Sequence, residues 1–332
     1  MPHEVRLEIK PQRLVAAGAF VALLAPATAA AGNGGFAPLE PESPNAHRIL
    51  TSYWLVSIVC IGIFLLVEIL LFAFVIRYRR RRRARNVDGA QIHGSTRLEL
   101  AWTVFPVLLL CVIATFVLVK LPGIQDVPAA SAGQQNLVVE VSGSQFAWQY
   151  RYPNGVIAVD RMRAPQGRTV ELRITAPDWD VIHSWWIPQL GGKQDAIPGQ
   201  VNTTWFKTDR TGVFLGQCAE LCGLYHADMT ASVEVMDGAA FDAWLDERAA
   251  QQESGSSPLG EEEWTGWCAK CHGDDGEGGF GPRLAGTDLV KNPDTIRNVV
   301  RNGLGKMPPV GRDWNETQVD ALTAYLKDRF GG

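Results

Sequence analysis

Two long apolar stretches separated by a run of arginines decide most of what this 332-residue chain can become. From Ile49 to Ile76 the only ionisable carboxylate or base is Glu68, and from Leu100 to Val119 there is no charge at all. Each stretch is long enough to cross a bilayer as a helix, with Pro106 a kink in the second. Between them lie Arg77, Arg79 to Arg83 and Arg85, and an excess of Lys and Arg marks the cytoplasmic side of a membrane. Two spans over residues 45–122 (about 49–76 and 100–119) with a cytoplasmic loop are therefore expected, and both flanks are exported. A basic run hard against a span is explained by this topology and does not argue for nucleic-acid binding. Residues 1–31 carry Arg6, Lys10 and Arg13 ahead of an apolar stretch ending in small residues, the pattern of a signal peptide. Glu68 is costly in a span unless it faces protein, which points to a partner in another subunit.

Downstream, residues 134–250 read as short alternating strands: Leu137 to Val141, Phe146 to Tyr152, Val170 to Thr175, Val201 to Thr208 and Ser232 to Met236. Turn signals such as Pro153-Asn154-Gly155 separate them, which predicts a β-sandwich with loops gathered at its ends. Ala249 to Pro258 is polar, small and nonperiodic, so residues 251–259 are expected to be a linker. A further domain over 260–332 follows, ending in a helix capped by Asn315 and Gln318, with Val319, Leu322, Leu326 and Phe330 on one face.

Four of the six cysteines occur as close pairs with histidines and methionines nearby, which favours metal or haem chemistry over a disulfide framework. Cys218, Cys222, His226 and Met229 share one short loop, and His183 is the candidate from elsewhere. Thiolate, imidazole and thioether together select a soft or borderline metal, and this is the vocabulary of electron-transfer copper. Two cysteines exceed the needs of a mononuclear blue site and are able to bridge two coppers. Structural zinc or a disulfide is the alternative. Cys268-Ala269-Lys270-Cys271-His272 is the attachment signature of c-type haem, against a redox disulfide or a zinc half-site.

The pattern Cys218-x-Glu220-x-Cys222-x3-His226-x2-Met229, preceded by His183-Ser184-Trp185 and Asp195 to Gly199, resembles subunit II of cytochrome c oxidase over roughly residues 45–250. The resemblance implies a cupredoxin-like fold and a dinuclear copper A centre. Cys218 and Cys222 would bridge both coppers, His183 and Met229 would complete one, and His226 with the Glu220 carbonyl the other. It also implies a magnesium on the Glu220 side chain at the subunit I interface, with Asp195 nearby, and a proton-path entrance at Glu99. Residues 260–332 resemble a small all-α class I cytochrome c, which implies covalent haem c on Cys268 and Cys271. His272 and Met307 would be the axial ligands, with Pro282 orienting His272. The fusion is similar to a caa-type haem-copper oxidase.

In the family, external cytochrome c is captured above an aromatic stretch containing a tryptophan. Here that stretch, Ser144 to Tyr150, has Phe146 at the tryptophan's place and Trp148 nearby. The expectation is that the tethered haem supplies the copper directly, the linker giving it a high effective concentration. The route would run from an external cytochrome c or similar donor to haem c, copper and subunit I, where oxygen is reduced and protons are translocated. It would lie on the outer face of the cell inner membrane, alongside the other oxidase subunits. A quinol oxidase subunit lacks the copper ligands, all six of which are present here. A stand-alone copper carrier would lack a haem-copper partner.

Overall fold

The computed structural model describes residues 37–79, 91, 93–130, 133–255 and 258–331; the expected signal peptide and the arginine run beyond Arg79 lie outside them. Helix α1 spans Pro44–Tyr78 and α2 spans Thr96–Lys120, followed by the single turn α3, Pro122–Gln125. Both long helices are apolar enough to cross a membrane, and side chains such as Ile58, Phe64 and Leu110 are left exposed for lipid or other subunits. Helix α1 begins five residues earlier than expected because Pro44 suits its first turn and the start is latched to the exported domain. The buried Asn45 donates through Nδ2 to the Trp205 carbonyl (2.6 Å), and the Ser43 hydroxyl accepts from Lys207 N.

The exported β domain is a sandwich of two five-stranded sheets, ordered β3-β2-β1-β5-β8 and β4-β10-β9-β6-β7. The first sheet comprises β1 (Leu137–Ser144), β2 (Ala147–Arg151), β3 (Ile157–Val159), β5 (Val170–Thr175) and β8 (Asn202–Phe206). The second comprises β4 (Arg161–Pro165), β6 (His183–Trp186), β7 (Gln194–Ala196), β9 (Gly212–Cys218) and β10 (Thr230–Met236). The five strands anticipated from sequence are all present. The other five include three-residue strands, too short to show alternation. The inward faces alternate as a half-buried strand requires, with Val139, Val141, Leu172, Ile174, Val233 and Val235 in one core.

Helix α4 (Gly238–Ser254) runs four residues into the stretch expected to be linker. It persists because Phe241, Trp244, Leu245 and Ala249 form a stripe at helical spacing against the sandwich, and Gly255 then ends it in the left-handed conformation (φ 71°). The connection to the last domain is therefore a short one.

That domain is helical: α5 (Leu259–Glu263), a π-helical turn (Trp264–Cys268), α6 (Ala269–His272), α7 (Pro293–Asn302) and α8 (Glu316–Phe330). Helices α5 and α8 cross closely at Gly260, where a Cβ would lie 2.2 Å from the Ala321 carbonyl. Asn315 and Gln318 form the anticipated reciprocal capping box of α8. The core of this domain also takes in Ala147, Ile157 and Val159 from the sandwich. The two domains thus share one apolar interface.

Candidate metal and haem centres

The copper-type loop connects β9 to β10, and β6 lies beside β9 with Trp185 opposite Cys218. This register carries His183 to the loop end of the sheet. The Cys218 and Cys222 sulphurs are 3.8 Å apart, Met229 Sδ is 3.9 Å from Cys222 Sγ, and His226 Nδ1 is 3.6 Å from it. The Glu220 carbonyl lies 3.3 Å from Cys218 Sγ, and His183, Cys218 and Cys222 offer donor atoms within 4.8 Å of one another. All six anticipated residues therefore converge on one buried spot.

The donor set fits a soft metal centre on a separate physical ground. His183 is fully buried, yet neither ring nitrogen makes a hydrogen bond. A buried imidazole with no partner is costly unless something coordinates it. Nε2 lies 3.5 Å from Asp180 Oδ1, close enough to orient the ring and leave Nδ1 facing away. Burial lowers the His183 pKa, but the Asp180 carboxylate and Cys218 outweigh it and the net shift is upward. A hydrogen bond from Cys222 holds the Cys218 thiol pKa well below its ordinary value, and Cys222 in turn keeps its own proton more tightly. The pair gives up its first proton readily and its second reluctantly, which a metal cation would reverse.

The loop is braced from the β1–β2 turn. Gln145 Nε2 donates to the Cys222 carbonyl (2.7 Å), and Gln145 N donates to Asp180 Oδ2 (2.8 Å). Gly223 adopts φ 132°, and a Cβ there would lie 2.9 Å from Gln145 Nε2, so a side chain at this position would break the brace. Glu220 and Asp195 both face the Lys193 ammonium, at 3.3 and 3.9 Å. Glu99 reaches back to Ser95 N (3.4 Å), as a residue in the first turn of α2 does.

In the helical domain an apolar cavity is walled by Trp264, Cys268, His272, Pro282, Leu284, Ile296, Val300, Met307, Leu322 and Leu326. His272 Nδ1 meets the Pro282 carbonyl at 2.7 Å, which directs Nε2 inward. Gly281 packs on the imidazole, where a Cβ would come within 2.7 Å of His272 Cε1. Met307 is presented by a tight turn in which Leu304 and Met307 exchange backbone hydrogen bonds. A deep apolar slot with two cysteines at one edge and a His and a Met among its walls suits a haem.

The mouth of this cavity is lined by Trp267, Cys268, Cys271, His272, Phe280 and Met307 together with Gln145, Phe146, Leu224 and Tyr225 of the β domain. Phe146 and Tyr225 pack edge to face, with ring centroids 5.5 Å apart. Trp148 instead lies fully buried beside His183 (6.2 Å between centroids). Trp267, Tyr225, Gln145 and Asp180 were not singled out from sequence, because their roles depend on partners distant along the chain.

Comparison with known proteins agrees with this division. The family model for the transmembrane domain of cytochrome c oxidase subunit II matches residues 40–119, and that for its periplasmic domain matches residues 155–236. Residues 258–326 match the model described as cytochrome c oxidase, cbb3-type, subunit III. Cytochrome c oxidase subunit 2 of Alkalihalophilus pseudofirmus is 32% identical over 319 residues, covering 90% of this chain and 92% of that protein. The chain belongs to the cytochrome c oxidase subunit II family. The corresponding protein of Cereibacter sphaeroides is 33% identical over 257 residues, covering 65% of this chain and 80% of that one. Among solved structures, the periplasmic domain of subunit II from Bradyrhizobium japonicum is similar, at 32% identity and a TM-score of 0.34, covering 38% of this chain and 98% of that one. This chain is thus an electron-transfer subunit of a haem-copper terminal oxidase, and it assembles with other oxidase subunits in a membrane.

Proposed function

We propose that this subunit accepts electrons from an external cytochrome c-like donor on a covalently bound haem c and relays them through a dinuclear copper A centre to subunit I. It does so on the outer face of the inner membrane. Cys268 and Cys271 would hold the haem, with His272 and Met307 on its iron; His183, Cys218, Cys222, His226, Met229 and the Glu220 carbonyl would hold the copper. Bound there, the two groups would supply reversible one-electron chemistry. Oxygen reduction and proton translocation belong to the complex, with Glu99 on the cytoplasmic side as a proton-path entrance. The Glu220 side chain would hold a magnesium in the assembled complex, with Asp195 nearby; in this structure the Lys193 ammonium pairs with both carboxylates.

The observation that carries this reading is the shared cavity mouth, where the haem-attachment cysteines and Met307 face Phe146 and Tyr225 across one opening. The chain's own residues fix this region. Phe146 and Tyr225 fill the space between the two centres, and Gln145 ties the same turn to the Cys222 backbone. A rigid site needs little rearrangement when charge changes.

The test is Cys222→Ser in the assembled oxidase. The mixed-valence two-copper signal should vanish while the haem c spectrum persists, and haem c reduced by the donor should then stay reduced. A normal two-copper signal would refute the ligand assignment, and reoxidation of haem c at the wild-type rate would refute the order of the relay.

A further inference from the structure

We propose that Lys270, inside the haem-attachment sequence, is a positioning residue that registers the haem domain on the copper domain by holding the Phe146 carbonyl and the Asp160 carboxylate across the interface. The inference rests on the relay reading above. The Lys270 ammonium donates to the Phe146 carbonyl and lies 3.7 Å from Asp160 Oδ2, with its side chain only 15% exposed. A lysine so covered is rarely found without partners, and its three donors suit two acceptors in different directions.

Both acceptors are rigid. Among the described residues Asp160 is the one non-glycine with a left-handed backbone (φ 56°). Its Oδ1 accepts from Trp148 N (2.9 Å), its N donates to the Trp148 carbonyl (2.8 Å), and its carbonyl accepts from Ser232 N (2.9 Å). These bonds leave Oδ2 facing the haem domain. On the other side of Cys268, Trp267 Nε1 donates to Ser144 Oγ (2.9 Å). The turn from Ser144 to Ala147 is therefore gripped at two points by residues flanking Cys268, and Gln145 in the same turn holds the Cys222 carbonyl. The haem-attachment helix and the copper loop are fastened to opposite sides of one four-residue turn.

The experiment uses the assembled oxidase carrying Lys270→Met, Asp160→Asn, or both. Asn keeps the acceptor for Trp148 N and tolerates the left-handed backbone, so it removes the charge and the acceptor facing Lys270 while leaving the Trp148 contact. Single-turnover kinetics should show haem-to-copper transfer slowed by about fivefold in each single variant, with the double variant no slower than the slower single. Covalent haem and its Met307-ligated spectrum should be unchanged, and hydrogen exchange at the amides of residues 144–148 should quicken. Wild-type exchange and rates in the single variants, or multiplying effects in the double, would overturn the clamp. Faster exchange in the variants with no haem-to-copper transfer even in the wild type would overturn the relay reading alone.

Discussion

Gly266→Ala tests whether the haem domain is seated on the copper domain as tightly as the structure has it. Gly266 lies in the π-helical turn before Cys268, and a Cβ there would come within 2.6 Å of Val159 Cγ1, 3.3 Å of Ala147 Cβ and 3.6 Å of Asp160 Oδ2. Ordinary carbon contacts lie near 3.5–4.0 Å, so about 1 Å must be found. Val159 is β-branched, held in β3 and 6% exposed, and Ala147 is fully buried, so neither side chain has room to turn away. The haem domain must shift as a body, at about 1–3 kcal/mol, the usual cost of an extra methyl group in a filled core. In the assembled oxidase, the thermal midpoint for loss of the native haem spectrum should fall and single-turnover haem-to-copper transfer should slow. Val159→Ala removes the colliding methyl and should restore both in the double variant, with a coupling energy of about 1–2 kcal/mol. Wild-type behaviour of Gly266→Ala, or simple additivity with Val159→Ala, would refute the interface.

Two further outcomes follow from buried groups of the haem domain. Met307→Ala should leave the haem bound through Cys268 and Cys271 but change its axial ligation and lower its midpoint potential, read by redox titration; an unchanged potential would remove Met307 from the iron. Glu263 is fully buried and neither carboxylate oxygen makes a hydrogen bond, so burial pushes its pKa well above the ordinary value of 4.5. The native state then holds a proton that the unfolded chain releases, so stability should fall as pH rises above about 4.5, until the native pKa is passed. Glu263→Gln should flatten that decline in thermal midpoints measured across the range; an identical slope would show that Glu263 is not its source.

The residues proposed to hold copper and haem were legible in the sequence because chemistry packs them locally: five of the copper set run from Cys218 to Met229, Glu220 among them, and three of the haem residues are consecutive or nearly so. His183 was legible only as a candidate from elsewhere in the chain, and the structure supplies the physical reason, a β6–β9 register that carries it to the loop. The interface between the domains was not legible. Lys270 and Phe146 are 124 positions apart and Trp267 and Ser144 are 123, and nothing local to either partner announces the other. The expected linker misled for a different reason. Its polar residues hid the end of a helix that is held by polar contacts: Arg248 is buried against Glu262 of the haem domain, and Gln252 in the last turn bonds to the Ile157 backbone.

That seating also accounts for the departure at Phe146. The family resemblance implies that a diffusing donor would be captured above an open aromatic stretch. Here the stretch is covered. Ala147 is fully buried against Gly266, and Phe146 is enclosed by Tyr225 and the haem cavity mouth. Small side chains at 147 and 266 let the two backbones approach, which a larger residue at either position would forbid. A tryptophan at 146 would have to fit beside Gly223, where even a Cβ would come within 3.3 Å of the Phe146 ring. The fused domain therefore covers the turn on which the family resemblance would place donor docking. The external donor of the proposed relay would have to reach the haem domain from a side that the copper domain does not cover.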